Sequence, residues 1–306
     1  MLLCLDAPPS SSDPLFWTDF VELKALIHPD RCYSRGDLVG LLRRNRDTQS
    51  NRATHDESKW RDIVSFAQNR AIEFGDAYPF NISADIDTIE LIFDDSDKQK
   101  AYLKLLLSSL MRHVPDNSRG GLARFFEEAC LTVFGKLMPE GSEIHPNWAN
   151  GGETARYQGT LFQKMTSIAS DIRCTANFQL SDFKPNDTGD GGIDLVAWHP
   201  MTDRREGIPI AFAQCGCSKE DWKFKHLEAS YAKHHRHLPV MHPWATYYFM
   251  PLDLRQSSGD WAYKSDIGDA IIVDRLRLLR LSAQYNLWTM WPRLPLLNTV
   301  MQLSST

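Results

Sequence analysis

The chain has 306 residues, an apolar share of 42% and a charged share of 24%. That is the composition of a globular protein with enough chain for one large domain or two ordinary ones. A net charge of −5 excludes a whole-molecule basic field of the kind that coats nucleic acid, but not a local basic patch. Six cysteines without Cys-x-x-Cys spacing read as reduced thiols. The start, Met1 to Asp6, lacks a positively charged leader, and no apolar run reaches the ~18 residues of a membrane span. A cytoplasmic protein with no membrane partner is expected.

Residues 7–14 read as an irregular lead. Phe16, Phe20, Val21, Leu23, Leu26 and Ile27 recur at helical spacing until Pro29. Ser34 or Asp37 caps a second helix carrying Leu38, Leu41 and Leu42, which ends in a basic cluster, Arg43 to Arg46. Residues 45–58 read as a polar loop, and a helix from Ser58 carries Trp60, Ile63, Val64 and Phe66. Alternating apolar positions between Ile82 and Ile92 fit a short strand or a loop, and Asp94 to Arg112 reads as helix. The segment 1–115 is thus expected to be mainly helical, and to recognise a partner protein or mediate oligomerisation.

The run from His113 to Gly121, with Pro115, Gly120 and Gly121, is the strongest boundary signal in the chain. A helix from Leu122 to Leu137 follows, with Glu127 and Glu128 set inside its apolar pattern. A Gly-, Pro- and Asn-rich stretch leads to a helix over 160–172 and a strand candidate at 175–180. Beyond residue 219, a helix over 220–236, a buried strand at 244–250 and a largely helical segment over 260–291 are expected. Arg275, Arg277 and Arg280 read as a surface stripe able to touch DNA.

Between these lies the stretch with chemistry. Gly189-Asp190-Gly191-Gly192 opens a short apolar run, Ile193 to Trp198, that contains Asp194. A polar turn around Asp203–Gly207 leads to a second apolar run, Ile208 to Ala213, ending in Gln214-Cys215-Gly216. The pattern is a β-hairpin. A carboxylate inside such a strand costs several kcal/mol unless it is paired or holds a cation. Phosphodiester cleavage with Mg²⁺ needs hard oxygen ligands from separate elements. Asp194, the Gln214 side chain, the Cys215 backbone carbonyl and a helix glutamate could supply them. The structural alternative makes Asp190 and Asp194 ordinary turn and capping residues.

The sequence from Gly189 to Ala197 and the following Phe212-Ala213-Gln214-Cys215 resemble the PD-(D/E)XK nuclease superfamily. The closest likeness is to the Mrr-like restriction-endonuclease branch, with its Gln-x-Lys motif. Phe126-Glu127 resembles that branch's helix glutamate. The likeness covers residues 120–250 and is specific only at the hairpin. It implies an α/β fold with a restriction-endonuclease-like core at 116–250, a mixed sheet flanked by helices. A helical N-terminal region (1–115) and a helical C-terminal extension (251–306) complete the expected architecture. It further implies a Mg²⁺- or Mn²⁺-dependent DNA endonuclease, an effector of bacterial restriction or anti-phage defence. Asp194, Glu127, Gln214 and Cys215 would hold the metal, with Glu128 as the adjacent alternative to Glu127.

The motif lysine is replaced by Gly216. Lys225, one turn after Trp222, is the favoured substitute, then Lys219, with Lys223 between them. If no lysine serves, the chain is a cleavage-deficient DNA-binding or scaffolding subunit. Zinc fits poorly, because Cys215, Cys217 and the scattered His226, His234, His235, His237 and His242 lack paired spacing. No Walker A, Rossmann or Gly-x-Ser-x-Gly pattern occurs.

Overall fold

The computed structural model describes residue 2 and residues 4–44, 52–149 and 155–303. In chain order the helices and strands are α1 (Pro14–Ile27), β1 (Cys32–Ser34), α2 (Arg35–Arg44), α3 (Arg52–Phe74), β2 (Phe80–Ile82), β3 (Thr88–Leu91), α4 (Asp97–Ser109) and α5 (Asp116–Leu137). Then come β4 (Glu143–Pro146), α6 (Leu161–Asp171), β5 (Leu195–Trp198), β6 (Ile210–Cys215), α7 (Trp222–Lys225) and α8 (Tyr231–His234). The chain finishes with β7 (Ala245–Phe249), β8 (Ile271–Val273), α9 (Arg275–Gln284) and α10 (Pro295–Leu303). It is a mixed α/β protein. Two compact units divide it: Met1–Phe126 with Pro251–Lys264 and Asp274–Thr306, and Glu127–Met250 with Ser265–Val273. The chain crosses between the units at 126/127, inside α5, and at 250/251, where breaks near 115 and 250 were expected, and the C-terminal segment is shared between the units.

The first unit is helical around a small antiparallel sheet of order β1-β3-β2. Its β1 was not expected, because three residues are too few for a periodic signal. Helix α1 is buried nearly all round, and its two buried acids are neutralised by arginines brought from distant sequence. Arg70 reaches Asp19 at 2.8 Å, Glu22 at 2.8 Å and Asp253 at 2.9 Å. Arg275 reaches Asp19 at 3.0 Å, and the Tyr102 and Tyr78 hydroxyls each donate to Glu22 at 2.8 Å. Arg275 is therefore fully buried. Arg280 pairs with Glu73, and Arg277 lies over the Trp261 ring. The expected surface stripe thus loses Arg275, while Arg277 and Arg280 remain exposed.

Other expectations are corrected as well. Helix α3 starts at Arg52, inside the expected loop, while 45–51, including Asn45 and Arg46 of the basic cluster, lies outside the described residues. The Pro–Gly boundary signal forms the first turns of α5, whose buried Leu122, Phe125 and Phe126 outweigh a helical-glycine cost of about 1 kcal/mol at Gly120 and at Gly121. Residues 175–180 form no strand, and β4 emerges from the Gly-, Pro- and Asn-rich stretch, to which the spacing assigns no element. The helix expected over 220–236 is two short helices. The segment 260–291 contains β8 and only one α-helix, α9.

The second unit is built on a five-stranded sheet of order β4-β5-β6-β7-β8. β4, β5 and β6 are antiparallel neighbours, whereas β7 and β8 run parallel. The expected hairpin is present, with Leu195 opposite Ala213 and Trp198 opposite Ile210. One sheet face packs Val196, Trp198, Ile210 and Phe212 against Met165 and Ile168 of α6 and Ile172 just after it. Phe134 of α5 meets Tyr247 and Phe249 edge-on, at 5.5 and 6.0 Å between centroids. The two-residue side-chain period therefore gives Gln214 the same face as Phe212 and Cys215 the α5 face.

Candidate functional site

Asp194 precedes the first residue of β5. Its N–H donates to the Ala213 carbonyl at 2.9 Å, although Ala213 already faces Leu195. Two residues thus oppose one, the arrangement of a β-bulge, which re-aims a side chain at a strand end. The re-aimed Asp194 carboxylate accepts from the Cys215 N–H at 2.7 Å and is 6% exposed. Burial pushes its pKa well above the usual carboxylate range. The Asp190 charge adds to this, and so do Glu127 and Glu228, while the Cys215 N–H opposes them. Glu127 on α5 is therefore brought within electrostatic reach of Asp194.

Gln214 bonds through Nε2 to the Glu228 carboxylate, and its buried Oε1 has no hydrogen-bond partner among the described residues. Cys215 directs its thiol to Cys130 of α5, and burial, first of all, raises both thiols. All six cysteines are free.

The glycine-rich turn is held from below. Asp190 accepts from the Gly192 N–H at 2.7 Å. Buried Asn147 donates its side-chain amide to the carbonyls of Asp190 and Ile193 at 3.0 and 2.9 Å, and its N–H to Asp194 O at 2.7 Å. Lys164 of α6, 2% exposed, donates to the carbonyls of Trp148, Thr188 and Gly189 at 3.0, 2.9 and 3.2 Å. Burial lowers its pKa, while Asp190 and Asp187 oppose the shift. Gly192 takes φ +84°, and a β-carbon there would lie 2.7 Å from the Glu228 β-carbon. Only glycine lets the Glu228 segment approach this closely.

Of the candidate lysines, Lys223 is paired with Asp266 at 2.6 Å. Lys225 is half-buried and close enough to Cys217 for its charge to favour the thiolate, although burial dominates and raises that thiol. Lys233 of α8 reaches the Gly191 carbonyl at 3.4 Å. The histidines serve the backbone: His226 Nδ1 faces Trp222 O at 3.0 Å and His234 Nε2 faces Glu228 O at 2.7 Å. Among the described residues no three His, Cys, Asp or Glu side chains converge as a metal cage.

No family model, curated protein or solved structure matches the chain. The chemistry of the site therefore rests on its own geometry. The charges acting most strongly on buried Asp194 are three further carboxylates, so the site favours a cation or a proton. Its donors are hard oxygens, including the unpartnered Gln214 Oε1. That suits Mg²⁺ held through one or two carboxylates with water completing the shell, which requires no three-residue cage.

Asn147, Lys164, Glu228 and Tyr248 belong to the site and were missed in sequence. Lys164 had a signal: it lies on the buried stripe of α6, three residues after Leu161 and four before Ile168. A charge on such a stripe needs a partner. Asn147, Glu228 and Tyr248 join only through tertiary contacts.

Proposed function

We propose that this site hydrolyses nucleic-acid phosphodiesters with a divalent cation, in the manner of the nuclease superfamily whose hairpin it resembles. The observation that carries this reading is the buried Asp194, aimed by a bulge into a cluster of like charges that a cation would relieve. Asp194, Glu127 and Gln214 Oε1 would bind Mg²⁺ or Mn²⁺. The cation would lower the pKa of a bound water and neutralise charge on the phosphate. The water oxygen would form the new P–O bond as the bond to the leaving sugar oxygen breaks, the water giving a proton to solvent and the leaving oxygen taking one from it.

A second observation supports a polyanionic substrate. The segment between β6 and β7 carries Lys219, Lys223, Lys225, Lys233 and Arg236 beside Phe224, which is 77% exposed. Cations with an exposed aromatic suit a phosphate backbone and a stacked base. Lys225 is the lysine we assign to the water. DNA as substrate, a role in restriction or anti-phage defence, and recognition of a partner by the first unit extend the same proposal.

Supercoiled plasmid incubated with Mg²⁺ or Mn²⁺ provides the test. Nicking is expected from the wild type, with a loss of about a hundredfold or more in Asp194→Asn. Equal nicking by the two proteins would sink the assignment. The replacement of the motif lysine by Gly216 favours a second reading, a DNA-binding subunit without cleavage. Salt-dependent DNA retention that ignores Mg²⁺, with no nicked product, would select it.

A further inference from the structure

Position 216 is where the resemblance calls for a lysine, and the structure shows what occupies that space instead. A β-carbon at Gly216 would overlap the Tyr248 hydroxyl and lie 2.8 Å from the ring carbon bearing it. Tyr248 stands on β7 in register with Gln214 of β6, so the two side chains share one sheet face. Tyr248 is fully buried, and its hydroxyl has no hydrogen-bond partner among the described residues. Gln214 Oε1 and His226 Nε2 are unpartnered beside it, the His226 ring centroid lying 6.3 Å from that of Tyr248. The charges of Asp194 and Glu228 both act on the phenol.

A buried hydroxyl without a partner costs about 1–3 kcal/mol, and a native structure that keeps one does so for a reason, a catalytic role among them. A neutral phenol keeps its proton at physiological pH and so acts as a donor. We propose that Tyr248 fills the space of the missing lysine with a substrate contact: its hydroxyl donates to a non-bridging oxygen of the phosphate that the cation at Asp194 and Gln214 Oε1 would hold, while Lys225 keeps the water. This rests on the nuclease reading above, and it assigns the substrate contact to a group that the motif does not contain. The developing negative charge on that oxygen would meet a fixed donor already free of competing bonds.

The test pairs turnover with a readout of the hydroxyl itself. In Tyr248→Phe, plasmid nicking should fall about a hundredfold in kcat with KM little changed. The Tm should stay equal or rise, because the lost hydroxyl had no protein partner. In wild-type protein labelled with ¹³Cζ-tyrosine, the resonance absent from Tyr248→Phe should shift when Mg²⁺ and a short oligonucleotide are added. A wild type that nicks, an inactive Asp194→Asn and a fully active Tyr248→Phe would overturn this inference and leave the nuclease reading standing. A shifted resonance without nicking would uphold the contact and sink the hydrolytic reading. An unshifted resonance, or a Tm lowered in proportion to the lost activity, would make the hydroxyl structural and overturn the inference.

Discussion

Asp194 is held in a place that suits its chemistry and not its stability. Burial and three neighbouring carboxylates raise its pKa, so the folded chain binds a proton there more tightly than the unfolded chain. The protonated form is favoured at low pH, and as pH rises through the folded pKa the ionised cluster becomes a liability. Asp194→Asn keeps an oxygen for the Cys215 N–H and removes the charge. It should therefore raise stability by about 1 kcal/mol at neutral pH in EDTA, read by urea denaturation. Added Mg²⁺ should stabilise the wild type and not the variant. His234 points the other way, since burial lowers its pKa to about 4 from 6.5, and its Nε2 faces a carbonyl, which can only accept. The unfolded chain then binds the extra proton, so stability should fall by about 3 kcal/mol as pH drops from about 6.5 to about 4. A His234→Gln variant should show a flatter slope across that window.

At the level of elements, the glycine-rich turn is positioned by side chains from outside the hairpin. Lys164→Met would strip three carbonyls of their donor and should cost about 2 kcal/mol. Limited proteolysis should then cut first between residues 186 and 193, and wild-type protection there would refute the role. The hairpin itself was legible in sequence because two period-two runs flank a polar turn, and the helices over 14–27 and 161–171 were legible from their apolar spacing. The α6 start is also written locally, as the Thr160–Gln163 capping box. What escaped was whatever depends on partners far along the chain. Short strands such as β1 and β8 exist because neighbours pair with them. Glu228 matters only because Gly192 and Gln214 lie beside it, and no spacing rule connects those three positions. The arginines of α9 had surface spacing by composition, yet Asp19 claims Arg275 from 256 residues away.

Across the whole molecule, the first unit depends on a buried charge cluster that joins α1, α3, α4 and the segment after residue 250. Breaking such a cluster on one side leaves uncompensated buried carboxylates, so Arg275→Met should destabilise by about 3–5 kcal/mol. Thermal denaturation would check it, and a change within 1 kcal/mol would show the cluster to be dispensable. The described residues contain no helix long and apolar enough to cross a membrane.

The interleaving of the two units bears on how the protein is made. β8, which completes the larger sheet beside β7, ends at Val273, and Arg275, which completes the charge cluster, follows two residues later. A ribosome adding about 5–20 residues per second therefore completes the larger sheet and the charge cluster almost together, and only after residue 270. A chain cut short of residue 270 would carry an unpaired strand edge at β7 and an Asp19 with only one of its two arginines. A nascent fragment holding all the candidate site residues would thus be a substrate for quality control before either unit could close.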